Sequence, residues 1–96
     1  MKVRLKKDEI HSIKETVAHF DENAQVILFG SRVDLNKKGG DIDLLILSKK
    51  LSQKDKFDIK LKLYDVLGEQ KIDLIISRDG SESAFVESCL KEGVKL

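Results

Sequence analysis

The sequence has few of the residues that support a disulfide-stabilised, thiolate-metal or membrane-bound protein. It contains one cysteine, Cys89, and no proline or tryptophan. A single cysteine excludes an internal disulfide and a multi-cysteine zinc site, and we therefore expect a protein of the reducing cytoplasm. The longest apolar runs, Val26–Phe29 and Leu44–Leu47, have four residues each, which is far too few for a membrane span or the core of a signal peptide.

An excess of charge of one sign is also missing. The 18 Lys and Arg residues nearly balance the 17 Asp and Glu residues, and the formal net charge is +1. Stable direct binding to nucleic acid is not expected, because such domains usually carry a strong basic excess. No Pro-rich or Ser/Gly-rich linker divides residues 1–96, so we expect one small domain with a thin core and any site on an open face.

Apolar periodicity predicts helices that alternate with short strands. Helical spacing indicates a first helix over residues 7–20, whereas the apolar run at 26–29, which stops at Gly30, is typical of a buried strand. Further strands are predicted at 41–48 and 71–77, and a last helix at 81–92. The order indicates an α/β domain with a small mixed sheet, three-stranded or slightly larger, that is flanked by helices.

The helix between the last two predicted strands has the clearest boundaries. Ser52 and Asp55 have capping-box spacing at its start, and Gly68 follows its end. The apolar residues that share helical spacing are expected to face the core. These residues are Phe57, Leu61, Tyr64 and Leu67.

The second predicted strand begins with acidic residues although the rest of it is apolar. Side chains alternate along a strand, so Asp41 and Asp43 point to one face. A segment that contains a helix leads to the next strand, as expected of a parallel crossover, so both strands begin at the same end of the sheet. Asp73 precedes Leu74 much as Asp43 precedes Leu44. We therefore expect the three carboxylates to converge.

Converging carboxylates are unfavourable unless a cation compensates them. Two unit charges about 4 Å apart repel by roughly 4 kcal/mol at an effective dielectric constant near 20. Carboxylate oxygens without nearby His or Cys suit Mg²⁺ or Mn²⁺, and Mg²⁺ commonly takes substrate phosphates as further ligands. The alternative interpretation is that Asp41 and Asp43 merely end a turn and Asp73 is a solvated strand end. The three together favour a metal site and nucleotidyl or phosphoryl transfer.

The turn after the first strand could hold phosphate. Glycine at position 30 lets the backbone approach a ligand closely, and Ser31 offers a hydroxyl group at the start of a short helix. For Gly30 and Ser31 to meet Asp41, the first two strands must be antiparallel. By itself, Gly-Ser is more often an ordinary turn.

These residues together resemble the signature of the DNA polymerase β-type nucleotidyltransferase superfamily. The signature consists of Gly30-Ser31, nine intervening residues, Asp41-Ile42-Asp43, and Asp73 on a later strand. More narrowly, the segments Phe29–Arg32 and Gly39–Ile46 are similar to the minimal nucleotidyltransferases. In prokaryotes these small proteins are commonly antitoxins that are paired with a helical HEPN-domain ribonuclease toxin.

The resemblance implies the nucleotidyltransferase fold and a role for each matched residue. It implies that Gly30, Ser31 and Arg32 bind the nucleotide, and that Mg²⁺ or Mn²⁺ is bound by the catalytic residues Asp41, Asp43 and Asp73. It also implies transfer of AMP from ATP to a hydroxyl group of the toxin, a tyrosine in studied members, as in a type VII-like antitoxin. After Arg32 the sequence departs from the Ala-Arg-Gly of many relatives.

Two other functions are compatible with the same residues. One is a non-catalytic binding module that neutralises a toxin by occupying its active surface. The other is nucleotidyl transfer to a small molecule, although the second domain that larger relatives use to grip the substrate is missing from residues 1–96.

Overall fold

The structure is a computed structural model that describes residues 2–68 and 70–96. In chain order, its elements are α1 (Lys7–Phe20), β1 (Gln25–Phe29), a 3₁₀ turn (Gly30–Val33), β2 (Ile42–Leu47), α2 (Gln53–Leu67), β3 (Ile72–Ser77), α3 (Ala84–Glu92) and β4 (Val94–Lys95). The first helix has the predicted bounds. The last helix begins at Ala84 rather than at residue 81, because the Ser83 side chain caps it by accepting a hydrogen bond from the backbone N–H of Val86.

The four strands of the described chain form one mixed sheet in the order β3-β2-β1-β4. β1 pairs with β2 in antiparallel orientation, as the predicted meeting of Gly30 with Asp41 requires. β2 and β3 are parallel, and α2 lies in the connection between them. The two-residue β4 pairs with Ile27 and Leu28 of β1 and was not predicted from the sequence.

Two apolar layers hold the sheet, one on each face. On one face, α1 and α2 pack against alternate strand residues, including Ile42 and Leu44 of β2. On the opposite face, α3 contributes Val86 and Cys89, which pack against Leu45 and other strand residues. Because side chains alternate along a strand, Asp43 and Asp73 share the α3 face.

The side of α2 that packs on the sheet differs from the predicted one. Ile59 and Leu63 are fully buried, whereas Phe57 is 63% exposed and Leu61 51% exposed; Tyr64 is exposed as well. Leu67 is partly buried and packs against the core as predicted. The helix carries apolar residues on two sides, and both sets follow helical spacing, so periodicity alone was wrong for Phe57, Leu61 and Tyr64. The predicted capping box is confirmed: the Ser52 hydroxyl accepts a hydrogen bond from the backbone of Asp55, whose carboxylate accepts one in return.

The observed packing of α2 predicts that alanine substitution at two of its leucines changes the free energy of unfolding by very different amounts. Leu63→Ala should lower the free energy of unfolding by about 2–5 kcal/mol, because it removes buried methyl groups and leaves a cavity. Leu61→Ala should change it by no more than about 0.5 kcal/mol, because about half of that residue is in water and its loss leaves no cavity in the core. Urea unfolding monitored by circular dichroism measures both. A larger loss of unfolding free energy for Leu61→Ala than for Leu63→Ala would show that the helix is rotated relative to this structure.

Candidate active site

The register of the two parallel strands brings the acidic residues together. Asp43 of β2 lies directly opposite Asp73 of β3, between the fully buried pairs Ile42↔Ile72 and Leu44↔Leu74. Asp41 immediately precedes β2, on the same side as Asp43 by alternation. The predicted convergence is therefore confirmed, and we call Asp41, Asp43 and Asp73 the acidic triad.

The acidic triad has the composition and the spacing of a divalent-cation site. Each residue offers one carboxylate oxygen, and the three oxygens lie within 4.8 Å of one another. All three side chains are half-buried, so they remain open to a ligand from solvent. An all-oxygen donor set of this kind suits a hard cation such as Mg²⁺. The residues present therefore fit a metal ion.

One cation from the chain lies beside the triad. Lys71 places its Nζ 3.5 Å from a carboxylate oxygen of Asp41, and its backbone carbonyl accepts a hydrogen bond from the backbone N–H of Ile42. Lys71 was not among the site residues predicted from the sequence. The signal was present, because the alignment that sets Asp43 beside Asp73 also sets Asp41 beside Lys71.

Burial and repulsion within the triad raise the pKa of Asp43. Burial raises the pKa of Asp43 above its ordinary value of 3.8, and the negative charges of Asp73 and then Asp41 raise this pKa further. A hydrogen bond with Asp73 acts in the same direction, whereas the charge of Lys71 acts against it. The ionised triad is thus incompletely compensated by the chain's own charges, and a bound cation would relieve the repulsion.

The Gly30-Ser31 turn lies against the triad, as the sequence predicted. β1 ends at Phe29, which is paired with Asp43, and Gly30 follows with a φ of +76°. A Cβ atom on Gly30 would overlap a carboxylate oxygen of Asp43. Only glycine combines this left-handed backbone with so close an approach. The helix that begins here is a single 3₁₀ turn.

The Arg32 guanidinium holds this turn against its surroundings. It donates hydrogen bonds to the carbonyl of Gly40 at 3.3 Å, the carbonyl of Arg4 at 2.8 Å and the side-chain carbonyl of Gln70 at 3.4 Å. These three bonds link the turn to the segment before the triad, to the segment before α1 and to the segment before β3. Nucleotide binding by Arg32 stays a prediction, and in this structure its guanidinium is engaged by these three oxygens.

Arg4, in the segment before α1, also holds the glycine turn in place. Its guanidinium donates to the carbonyls of Ser31 and Asp34, at 2.9 Å each, and its backbone N–H donates to the carbonyl of Arg32 at 2.8 Å. The two arginines therefore exchange hydrogen bonds. No pattern in the sequence points to Arg4, because it lies outside the periodic elements and its partners are backbone carbonyls.

The fold and the site together define a class of protein: a small α/β domain with a carboxylate cluster beside a glycine turn at one end of a mixed sheet. A family model described as "Polymerase beta, Nucleotidyltransferase" matches residues 11–96. The chain belongs to this nucleotidyltransferase family, and the predicted fold is confirmed. No curated protein matches the chain. Within residues 2–68 and 70–96, no helix is long and apolar enough to cross a membrane.

We expect Asp43→Asn to stabilise the metal-free protein at neutral pH. The folded-state pKa of Asp43 lies above its ordinary value of 3.8, so its ionisation makes folding less favourable as the pH rises from that value through the raised pKa. The stability advantage of Asp43→Asn should therefore shrink as the pH falls from neutral, because the parent carboxylate then takes up its proton. Urea unfolding in EDTA at a series of pH values measures this difference.

Magnesium should make the parent protein more stable than Asp43→Asn, the reverse of the order expected in EDTA. An ion that binds only the folded state raises the unfolding midpoint, and Asp43→Asn removes one of its ligands. The exposed Asp65 on α2 provides a control, since Asp65→Asn should leave the response to Mg²⁺ and the pH dependence of the parent unchanged. If Asp43→Asn is less stable than the parent in EDTA throughout the pH series, repulsion is not the dominant effect at this position.

Alanine substitutions at two glycines with positive φ distinguish the effect of the close approach to Asp43 from the effect of backbone strain. Gly30 and Gly39 both have positive φ, +76° and +62°, but only at Gly30 would an added Cβ atom have a neighbour within 4 Å, the side chain of Asp43. Alanine should cost about 1–2 kcal/mol of stability at either position through the backbone. Gly30→Ala should cost more and also abolish stabilisation by Mg²⁺, which Gly39→Ala should retain. Thermal unfolding with and without Mg²⁺ compares them, and equal behaviour of the two variants would contradict the close approach.

Proposed function

We propose that this chain is a Mg²⁺-dependent nucleotidyltransferase that transfers AMP from ATP to a hydroxyl group on a partner protein. The proposed partner is a HEPN-domain ribonuclease toxin, the proposed acceptor is a tyrosine, and the proposed setting is the cytoplasm. Transfer would inactivate the toxin, so the chain would act as an antitoxin. Family membership supports nucleotidyl transfer in general, and the resemblance of Phe29–Arg32 and Gly39–Ile46 to minimal nucleotidyltransferases supports the finer assignment.

The observation that carries the proposal is the contact between the glycine turn and the acidic triad. Gly30 lies so close to Asp43 that no side chain fits between them. A triphosphate bound along Gly30 and Ser31 would therefore have its phosphate oxygens beside the carboxylates. Divalent cations that are bound by carboxylates commonly take substrate phosphates as further ligands. The two features form one site with complementary halves.

Each half has a distinct task in the proposed reaction. Gly30 and Ser31 bind the phosphates, and Arg32 acts on the nucleotide through the turn that it holds in place. The acidic triad would hold the metal ions, which supply charge stabilisation to the reacting phosphate and to the leaving pyrophosphate. The acceptor oxygen forms a bond to the α-phosphorus as the bond from that phosphorus to pyrophosphate breaks. Asp73 accepts the proton that the hydroxyl group loses.

The open form of the site supports a protein acceptor. Asp41, Asp43 and Asp73 are half-buried at the end of the sheet rather than enclosed. In the described residues, every element belongs to the one sheet and the helices that cover it. A small substrate would need further walls to be held for reaction, whereas a tyrosine on a bound partner is positioned by the surface of that partner.

The proposal is tested by incubating the chain with the product of its neighbouring gene, which we expect to be a HEPN-domain protein, together with Mg²⁺ and each nucleoside triphosphate in turn. We expect the intact mass of the partner to increase by one AMP with ATP. Asp41→Asn and Asp43→Asn should each lower the rate by about 100-fold or more, because the loss of one stabilising group in an active site has effects of this order. Asp65→Asn, on the far surface of α2, should have no effect.

The same assay separates catalysis from occlusion. The ribonuclease activity of the partner should fall only when ATP and Mg²⁺ are present and should stay low after the two proteins are separated. Neutralisation that needs neither ligand, with no mass increase and with full protection by Asp41→Asn, would establish the binding module instead. Labelling of a small hydroxylated compound but not of the partner would establish a small-molecule transferase.

A further inference from the structure

A cleft of about 420 Å³ lies on the α3 side of the sheet, next to the glycine turn. The end of β1 and the 3₁₀ turn form one wall, and α3 forms the other. Phe29 and Gly30 belong to the first wall, and Phe85 and Cys89 to the second. The roles proposed above for the triad and the turn leave this cleft without a function.

The aromatic residues of the cleft offer a surface for stacking. Phe29 and Phe85 meet edge to face, with ring centroids 6.1 Å apart and ring planes at 85°. Phe29 is half-buried and fixed within β1, whereas Phe85 is 60% exposed although it is a large apolar side chain. The contact with Phe29 thus orients a ring that is mostly in water. Such a ring can stack against a planar group, since every nucleobase has a π-face.

The cleft borders the proposed catalytic site at Gly30. Gly30 lines the cleft and also touches Asp43 of the triad. Cys89 is buried at the cleft, and its thiol pKa is raised by burial first and then by the negative charge of Asp43. A ligand with its phosphates on Gly30 and Ser31 therefore has this cleft as the adjacent space on the α3 side.

We propose that the cleft binds the nucleobase of the nucleoside triphosphate, stacked on Phe85. This inference rests on the proposed function, because it takes the triphosphate position from the glycine turn. A base is tethered to its phosphates through the ribose, and Gly30 is common to the cleft and to the turn. Asp34, Lys37 and Ser88 line the same cleft and supply polar groups for the ribose and the edge of the base.

Two probes distinguish the contribution of the phosphates to binding from that of the base. Mg²⁺–ATP carries the phosphates and the base, whereas Mg²⁺–tripolyphosphate carries the phosphates alone. Isothermal titration calorimetry on the full chain gives the affinity for each. Phe85→Ala should weaken ATP binding by between about 5-fold and about 150-fold, the range that aromatic stacking on a base typically spans. Its affinity for tripolyphosphate should stay within about twofold of that of the parent.

Two further variants make the result specific to stacking. Phe85→Tyr keeps the aromatic face and should bind ATP as the parent does. Phe57 on α2 is a matched control, because it is an equally exposed phenylalanine, at 63%, on the opposite side of the sheet. Phe57→Ala should leave both affinities unchanged. Thermal unfolding of each variant without ligand shows whether the fold is retained.

Three outcomes would overturn the inference. If Phe85→Ala binds ATP as tightly as the parent, the base lies elsewhere. If it loses ATP and tripolyphosphate binding equally, Phe85 supports the phosphate turn rather than the base. If ATP binding is kept but transfer to the partner protein is lost, the cleft receives the acceptor side chain. A parent chain that binds neither probe in Mg²⁺ would overturn the proposed function itself, and with it this inference.

Discussion

The parallel pairing of β2 with β3 is the constraint on which the site depends. It sets Asp43 beside Asp73, and unit charges about 4 Å apart repel by roughly 4 kcal/mol at an effective dielectric constant near 20. The strands keep this register because Ile42 and Ile72, which precede the two aspartates, are fully buried on the opposite face. A slip of one residue would expose that apolar face to water. Apolar packing on one side of the sheet therefore holds together charges that repel on the other.

Beside the triad, the glycine turn is held by backbone contacts and by two arginines. The glycine turn approaches Asp43 closely because Gly30 has no side chain, and Arg4 and Arg32 fix that turn through carbonyl oxygens rather than through the triad carboxylates. The carboxylates are left with Lys71 as a nearby cation. Their remaining negative charge is therefore available to a divalent cation and its phosphates.

Much of this could be predicted from the sequence, because the strongest signals were local patterns with one structural solution. The acidic start of β2, the matching Asp73 and the capping box at Ser52 each specified a geometry that the structure confirms. The orientation of α2 could not be predicted, because Ile59 with Leu63 and Phe57 with Leu61 repeat at the same interval and only tertiary packing selects between them. β4 has two residues, too few for a periodic signal, and Arg4 acts through backbone carbonyls that any sequence provides.

Nucleotidyl transfer at this site requires that the acidic triad bind a divalent cation. Anomalous X-ray diffraction from crystals soaked in Mn²⁺ and ATP tests it most directly, because manganese scatters anomalously and takes the same oxygen ligands as magnesium. We expect a strong anomalous peak within coordination distance of carboxylate oxygens from Asp41, Asp43 and Asp73. Crystals in which these residues face open solvent, but which show no peak there at saturating Mn²⁺ and ATP, would contradict it.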